Sequence, residues 1–554
     1  MIIHTSKSLI LVIRAEPADM PIDEGVNVDL QFLILEVKKQ AGASLSFIQN
    51  PTKQKLKKIR SREDYVDNLK KTLENKSYFN LHKEEEKRQV NYFRALITIA
   101  SNLERCADFF ERIAEQMTYV ENPKRLHLFD LKKYYKVINR SLDIILPALT
   151  DHDLDLAQEI CDNEQILDDL YDESFEIIRT NLHKGKQVDD MLCSLFITRY
   201  LERVGDSFLN IGEAILDVHV GEKMGIKQFR YLRRGLESQN IDISSEDVAY
   251  LPVMNTRSGS RVAKIVKEED DGERQIVFYK EGIKEKIDQE VAGLKLWQSL
   301  YPGRTPAVLW HASRRERSTI LLEYIEGSDL LEILINQRSK AGTCIKLLCT
   351  SLKDLWQTSI KDKPVRSTYI SQLVTRRLDV KWVHDHLFDA DKDLDFMLSE
   401  ARKMERKISA PFSTLIHGDF NVDNIIFPDD NKGLYYIDVH RSRYGDFTQD
   451  VSVFLVSNFR IPIFSTDIRQ RLNDANVHLY DAALRFARKN NDETFEARLA
   501  LGLFRSLITS TRFLFDKKFS AEMFQRATMI LRELLTYKDN PEKFKLRKEF
   551  FQYG

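Results

Sequence analysis

The sequence predicts a multidomain chain in which all-α tandem three-helix bundles precede an α+β bilobal domain. From about residue 27 to residue 222, Gly and Pro are sparse and apolar residues recur with a period near 3.6, which is typical of successive helices. After Ala249, short β-branched and aromatic runs such as 275–279 and 319–324 predict strands, and helical patterns return beyond Gly327. The change of pattern therefore separates two regions of different fold class.

An internal repeat predicts the architecture of the helical region. Residues 102–115 align without gaps on residues 200–213, with seven of 14 positions identical at an offset of 98. Upstream, Asn80-Leu-His-Lys83 recurs as Asn181-Leu-His-Lys184 at an offset of 101. Each unit of about a hundred residues has three helical segments, so we expect two antiparallel three-helix bundles in tandem.

The change of composition between the halves sets the expected boundaries. A segment that is basic in its first part and acidic in its second, residues 226–248, is interpreted as a linker. The expected organisation is an N-terminal extension (1–26), helical repeats (27–122 and 123–225), the linker (226–248), and the two lobes of the α+β domain (249–325 and 326–554).

Composition excludes several classes of protein. The 84 Lys and Arg residues balance 85 Asp and Glu residues, which argues against a chain-wide basic surface for nucleic acid. The five cysteines form no CxxC pair, so neither a disulfide framework nor a zinc finger is expected. The apolar run at residues 8–13 is too short for a membrane span. We expect a cytoplasmic protein without a membrane span.

Each helical repeat carries two carboxylates on one helical face. Glu104 and Asp108, like Glu202 and Asp206, stand at i and i+4. Like charges at this spacing repel, so either a metal ion or a basic residue from a neighbouring helix is expected between them. The neighbouring Arg105 and Arg203 are the candidate partners if the acids are only ion-paired.

The repeat and its ExxxD acids resemble the PhoU family across residues 27–222. The resemblance implies a phosphate-responsive regulatory region that dimerises through its helices and acts with a phosphate-signalling partner. It also implies iron or zinc at the motif acids, which are here Glu104, Asp108, Glu202 and Asp206.

The strongest chemical motif is His417-Gly418-Asp419, with Asn424 five residues beyond Asp419 and a second acid, Asp438, after an apolar run. Phosphoryl transfer needs a carboxylate that accepts a proton from the attacking hydroxyl, which suits Asp419. It also needs oxygen ligands for Mg²⁺, which suits Asn424 and Asp438. The spacing therefore predicts a magnesium-dependent kinase.

This block resembles the aminoglycoside phosphotransferase and choline kinase group, which has the protein-kinase-like fold. The resemblance spans about residues 250–540 and includes Asp446 and Asp450 as structural acids. It implies ATP and Mg²⁺ as cofactors and a small-molecule hydroxyl as the acceptor. A protein kinase is disfavoured because Gly418 stands where an arginine is needed and only eleven residues separate Asp438 from Asp450.

The same resemblance implies a nucleotide site upstream. Lys280 would hold the α- and β-phosphates and Glu290 would fix Lys280, with Lys264, Lys267 and Glu285 as competing candidates. The loop with Ser258, Gly259 and Ser260 would cover the phosphates, although it has one glycine where the usual pattern has three. Main-chain groups near Glu323 and Ile325 would meet the adenine.

Two functions remain open from the sequence. The first is a small-molecule kinase coupled to a phosphate- or metal-responsive helical domain. The second is a nucleotide-binding signalling adaptor that transfers little phosphate. The set of Asp419, Asn424 and Asp438 favours the kinase, and the glycine-poor loop favours the adaptor.

Overall fold

The computed structural model describes residues 24–82, 87–185, 187–245, 247–253, 260–269, 272–389, 393–429 and 433–553. These residues form two compact units. The first, here called the helical unit, comprises described residues in 24–253 and 263–276, and the second, the mixed unit, comprises 260–262 and 277–553. The apolar run at residues 8–13 and most of the expected N-terminal extension lie outside the described residues.

Six long helices build most of the helical unit, and this confirms the predicted all-α fold class. The first three pack against one another, as do the next three, and α3 packs against α6 between the two sets. The bounds are α1 (Glu24–Gln49), α2 (Lys53–Leu81), α3 (Lys87–Met117), α4 (Leu131–Thr150), α5 (Leu154–His183) and α6 (Val188–Val220).

Small residues allow α5 and α6 to approach closely. A Cβ atom added to Gly212 would lie 2.4 Å from Sγ of Cys161 and 2.9 Å from the carbonyl oxygen of Ala157. A Cβ atom at Gly205 would lie 3.2 Å from Leu167. Packed interiors leave no room for such atoms, so glycine at these positions sets the spacing between the two helices.

The segment expected as a linker contains a further helix. Helix α7 (Ile226–Glu237) buries Phe229, Leu232 and Leu236. Strand β1 (Val248–Pro252) pairs antiparallel with β2 (Arg261–Glu268), with Tyr250 opposite Ile265. Apolar residues spaced three and four apart give α7 a buried face, so much of this segment packs against the protein.

The mixed unit begins with three antiparallel strands and one helix. Strand β5 (Arg317–Glu323) lies between β3 (Arg274–Ile283) and β4 (Val308–Ser313), and Lys280 on β3 is opposite Ile320 on β5. Helix α8 (Lys284–Leu300) follows β3 directly and packs against β5. This arrangement places the end of β3 beside the first turns of α8.

Helices dominate the rest of the mixed unit, which together with the strands confirms the predicted α+β class. Two small sheets flank the loop of His417, Gly418 and Asp419, here called the HGD loop. One consists of β6 (Gly327–Asp329), β8 (Ile425–Pro428) and β9 (Tyr435–Tyr436), and the other consists of β7 (Thr414–Ile416) and β10 (Arg443–Gly445). Trp297, Trp356, Phe420 and Phe447 belong to the buried apolar core. The helices are α9 (Leu330–Asn336), α10 (Arg338–Ser359), α11 (Tyr369–Val383), α12 (His386–Asp389), α13 (Leu394–Lys407), α14 (Thr448–Phe459), α15 (Thr466–Lys489), α16 (Phe495–Ser510) and α17 (Lys517–Leu535).

Candidate functional site

The backbone of the HGD loop is held in a conformation that requires glycine. Gly418 has φ of 85°, and a Cβ atom there would lie 2.5 Å from the carbonyl oxygen of Arg441. The buried carboxylate of Asp450 accepts hydrogen bonds from the N–H groups of His417 at 2.7 Å and Gly418 at 2.8 Å. Because both loop amides are bonded to one buried acid, Asp450 fixes the loop, in line with its expected structural role.

Asp419 projects from this loop and has three polar neighbours. Its Oδ2 lies 2.9 Å from Nη1 of Arg441, and its Oδ1 accepts a hydrogen bond from Nδ2 of Asn421 at 3.1 Å. Nδ2 of Asn424 donates to the carbonyl oxygen of Asp419 at 2.9 Å. About a quarter of the Asp419 side chain is exposed, so the carboxylate is oriented and still accessible.

A buried ion-pair network joins β3, α8 and the segment after β9. Nζ of Lys280 lies 2.6 Å from Oε2 of Glu290 and 3.0 Å from Oδ1 of Asp438. Oδ1 of Asp438 also lies 3.1 Å from Nδ1 of His440. Asp438 has φ of 59°, which is uncommon for a residue other than glycine and often marks functional sites. The structure thus brings together Lys280, Glu290 and Asp438 as the sequence predicts.

Electrostatics keep Lys280 and Asp438 charged, whereas burial raises the pKa of Glu290. Burial alone would lower the pKa of Lys280, but the attraction of Glu290 and Asp438 outweighs it and raises that pKa. Burial likewise opposes ionisation of Asp438, yet hydrogen bonds from His440 and Lys280 hold the pKa of its carboxyl well below the usual range. The lysine is therefore a cation and Asp438 an anion across the physiological range of pH.

A cavity of about 520 Å³ connects the network with the HGD loop. Its described lining includes Ser260, Lys280, Glu290, Asp419 and Asp438. Three other predicted site residues, Asn424, Glu323 and Ile325, lie outside this lining. Asn424 ends the short 3-10 turn Val422–Asn424, and its side-chain amide donates a hydrogen bond to the backbone carbonyl oxygen of Asp419.

The expected adenine-binding groups and the phosphate-covering loop are placed only in part. Glu323 ends β5, where its Oε2 accepts a hydrogen bond from the N–H of Ala307 at 3.0 Å, and Ile325 follows in the segment before β6. Ser260 is buried, whereas Ser258 and Gly259 lie outside the described residues.

The ExxxD acids on α3 and α6 lie beside basic side chains and, on α3, also beside a carboxylate from α2. Oε1 of Glu104 lies 3.4 Å from Nζ of Lys70, Oε1 of Glu202 lies 2.7 Å from Nη1 of Arg199, and Oδ2 of Asp206 lies 2.8 Å from Nη1 of Arg203. Burial, then repulsion from Asp108, raises the pKa of Glu63 on α2 to about 7. The acids thus crowd one another in spite of their basic neighbours.

Carboxylate oxygen is the chemistry of a hard-cation site, and two buried oxygens, Glu202 Oε2 and Asp168 Oδ1, accept no hydrogen bond from the residues that the structure describes. Burial, followed by repulsion from Asp206, raises the pKa of Asp168. Across the described ranges, however, no three His, Cys, Asp or Glu side chains are grouped as a metal ion would require. The chemistry of the donors fits a cation, but iron or zinc at these acids is not shown.

Sequence reasoning missed the partners of both sets of acids. Glu63 and Asp67 on α2 form an ExxxD pair that recurs as Glu164 and Asp168 on α5, again at an offset of 101, so the repeat contained this signal. Arg441, the ion-pair partner of Asp419, stands three residues after Asp438 and was not considered. His440 was also missed, although it directly follows the motif.

Comparison with known families agrees with the two-unit organisation. Residues 33–117 and 131–215 each match the PhoU domain, and residues 262–488 match the phosphotransferase enzyme family. The chain thus carries two PhoU-like regions followed by a region similar to the phosphotransferase enzyme family. Within the described ranges, no helix of either part is long and apolar enough to cross a membrane.

Individual relatives cover one part of the chain at a time. The phosphate-specific transport system accessory protein PhoU homolog 1 of Thermotoga maritima is 23% identical over 215 residues, which are 38% of this chain and 90% of the relative. The ethanolamine kinase of Plasmodium vivax aligns with 55% of this chain and 91% of its own, at 12% identity and a TM-score of 0.36. The aminoglycoside phosphotransferase APH(3'')-Id of Streptomyces rimosus covers 51% of this chain and 98% of its own, at 16% identity and a TM-score of 0.32.

Proposed function

We propose that the phosphotransferase domain transfers the γ-phosphoryl group of ATP, with Mg²⁺, to a hydroxyl of a small molecule. The supporting observation is that Asp419 lines the same cavity as the Lys280–Glu290 pair and Asp438. Phosphoryl transfer depends mainly on positioning and on neutralising charge, and these residues supply a proton acceptor, a cation and a metal ligand.

On the nucleotide side, Lys280 binds the α- and β-phosphates and Glu290 holds its ammonium group in place. Ser258, Gly259 and Ser260 cover the phosphates, and main-chain groups at Glu323 and Ile325 meet adenine. Lys280 and Glu290 are both buried and lie 2.6 Å apart, so the lysine is already held in one position before nucleotide binds. Less side-chain conformational entropy is therefore lost on binding.

The residues proposed for Mg²⁺ fit the ion by their donor chemistry. In the described part of the chain, the contacts of the Asp438 carboxylate all involve Oδ1, and Asn424 uses its Nδ2, so Asp438 Oδ2 and Asn424 Oδ1 are the oxygens that would hold the ion. Bound there, Mg²⁺ would neutralise charge on the nucleotide phosphates.

On the acceptor side, Asp419 receives the proton of the attacking hydroxyl. Arg441 and Asn421 hold its two carboxylate oxygens, and the hydrogen bond from Asn424 holds its backbone. The carboxylate is thereby oriented before substrate binds, and the acceptor oxygen needs only to approach it.

For the PhoU domains we propose regulation of the transferase by phosphate or by a metal ion, iron or zinc, at Glu104, Asp108, Glu202 and Asp206. Dimerisation through these helices and a phosphate-signalling partner belong to the same proposal. The raised pKa of Glu63 beside Asp108 supports it, because a bound cation would relieve that repulsion. Metal analysis and kinetics of a variant with all four acids changed to Ala test it, and unchanged metal content and turnover would reject it.

The central test is Mg²⁺-dependent ATP consumption by the full chain with a panel of hydroxyl compounds. Asp419→Asn should lower kcat by about 10²–10⁴-fold, the usual contribution of a positioned general base. Asp385→Asn is the matched control, because the Asp385 side chain is 84% exposed. Equal turnover by the Asp419 variant would exclude the proposed mechanism, and ATP binding without transfer to any acceptor would favour the signalling adaptor.

A further inference from the structure

The cavity that holds Asp419 carries a large excess of positive charge. Eight Lys and Arg side chains and only three acidic ones stand among its described lining residues. All three acids already have a cation within 3.0 Å, since Lys280 contacts Glu290 and Asp438, and Arg441 contacts Asp419. The remaining basic side chains are therefore not neutralised by the carboxylates of this cavity.

The clearest member of this excess is Arg505 on α16. Its side chain is 5% exposed, and its Nε and Nη2 have no hydrogen-bond partner within the described residues. Its guanidinium stacks over the ring of Tyr369 at 5.1 Å, which orients the group without satisfying its N–H donors. Burial, with a further contribution from Arg376, lowers its pKa to about 10, so it still carries its charge at neutral pH. A buried, charged group with unused donors is costly unless a ligand completes it.

Two more arginines extend the cluster. Arg376 on α11 and Arg512, just after α16, line the same cavity, and neither forms an ion pair among the described residues. Burial lowers the pKa of each, followed by repulsion from Arg441 for Arg376 and from Arg376 for Arg512. Nη1 of Arg512 is buried and lacks a hydrogen-bond partner within the described ranges. Attraction from Asp379, and from Asp419 for Arg376, offsets only part of this, because the pKa of both arginines remains lowered.

The position of the cluster identifies which substrate it serves. Arg376 lies on α11, Arg505 on α16 and Arg512 in the turn that follows α16, whereas the proposed nucleotide contacts come from β3, α8 and the loop at Ser260. Asp419, the proposed proton acceptor, interacts electrostatically with both Arg376 and Arg505. The arginines therefore lie on the side of the base, where the acceptor must bind.

We propose that the phosphate acceptor is itself an anion, a hydroxyl compound that carries a phosphate ester or a carboxylate bound by Arg376, Arg505 and Arg512. The guanidinium fork matches the paired oxygens of both groups. The same field repels cationic acceptors such as amino alcohols and aminoglycosides. This inference rests on the proposed function, because it names the acceptor class of the same site.

The kinetic test compares acceptors of the same carbon skeleton with and without an anionic group. Glycerol, glycerol 3-phosphate and glycerate form one set, glucose, glucose 6-phosphate and glucuronate a second, and choline and streptomycin represent cations. We expect kcat/KM to be at least about tenfold higher for an anionic member than for its neutral partner, the size of effect that one well-placed charged contact gives. A pH profile separates the two anions, because the affinity for a phosphate ester rises near pH 6 as it takes its second charge, and a carboxylate shows no such step.

Neighbouring arginines on α11 provide the matched variants. Arg376→Gln should raise the KM of the anionic acceptor about tenfold or more and leave the KM of ATP unchanged. Arg377→Gln is the control, because Arg377 is absent from the cavity lining and pairs with Asp395 at 2.6 Å. Arg512→Gln provides a second variant that avoids the fully buried Arg505. A higher KM for ATP instead of the acceptor would assign the arginines to the nucleotide and overturn the inference.

A binding measurement separates this inference from the proposed function. Inorganic phosphate is added to the Asp419→Asn protein in the presence of saturating ADP and Mg²⁺. Stabilisation against heat that Arg376→Gln abolishes and Arg377→Gln retains supports the anion site, even if no acceptor turns over. Turnover of neutral or cationic acceptors with no phosphate effect would uphold the transferase and reject the anionic acceptor. Absence of both effects would reject both proposals.

Discussion

Both the helical unit and the mixed unit contain pairs of neighbouring carboxylates, but the charges that surround these pairs differ. In the mixed unit, Lys280 lies between Glu290 and Asp438, and the pKa of Asp438 is strongly lowered. In the helical unit, Glu63 faces Asp108, and its pKa is raised to about 7. The fixed lysine keeps Asp438 ionised even though burial raises the pKa of Glu290, whereas Glu63 in the helical unit binds a proton near neutral pH and has the chemistry to accept a positive ligand.

Removal of the central cation should abolish this difference. Lys280→Met leaves the buried Glu290 without its cation and Asp438 with only His440 beside it, and loss of one partner from a buried pair costs about 3–5 kcal/mol of unfolding free energy. All four tryptophans (Trp297, Trp310, Trp356 and Trp382) lie in the mixed unit, so denaturation followed by their fluorescence reports on that unit.

Lys284→Met is the matched control for this variant. Lys284 pairs with Asp288 at 2.8 Å one turn along the same helix, but its side chain is 38% exposed. Water screens such a pair, so we expect a loss below about 1 kcal/mol. Equal losses in the two variants would show that the Lys280 network is an ordinary surface ion pair and would remove the basis of the comparison.

A second variant tests whether the framework also depends on a fixed loop. Gly418→Ala forces a Cβ atom toward the carbonyl oxygen of Arg441 and places alanine at a φ of 85°, so we expect a loss of about 1–3 kcal/mol together with slower transfer. Gly342→Ala in α10 provides the contrast, because no atom of the described residues lies within 4 Å of the added Cβ, and it should raise stability by about 0.5–1 kcal/mol. If the Gly418 variant were as stable and active as the wild type, the loop would not need its left-handed conformation.

Much of the framework could be predicted because its residues are close in sequence or belong to fixed patterns. Lys280 and Glu290 were predicted from the family resemblance, and they stand ten positions apart where a strand runs directly into a helix, so local structure brings them together. The periodicity of apolar residues likewise predicted the six long helices. The cluster of Arg376, Arg505 and Arg512 could not be found in this way, because Arg376 and Arg505 are 129 positions apart and are brought together by packing of α11 against α16.

Other features were present in the sequence in a weaker form. The buried face of α7 lies in a segment whose charges suggested a linker, and its four apolar residues are too few to outweigh that composition. The ExxxD pair on α2 was visible only by extending the repeat at the offset of 101. What the sequence does not contain is the balance between burial and attraction, which decides whether paired acids are charged or protonated.

The smallest expected effect tests the helical side of the comparison through its pH dependence. The pKa of Glu63 is about 7 in the folded chain and 4.5 in the unfolded chain. Between these two pH values the folded chain therefore binds more protons than the unfolded chain, and stability falls as pH rises through this range. Glu63→Gln removes this loss, so its Tm should exceed that of the wild type by about 2 °C at pH 8, with the gap closing toward pH 5. Hydrogen exchange of peptides from α2 and α3 assigns the change to the helical unit, and Glu173→Gln, at an exposed position, is the control. A gap that stayed constant with pH would show that Glu63 is not a proton-binding group, and the two units would then not differ in the way proposed.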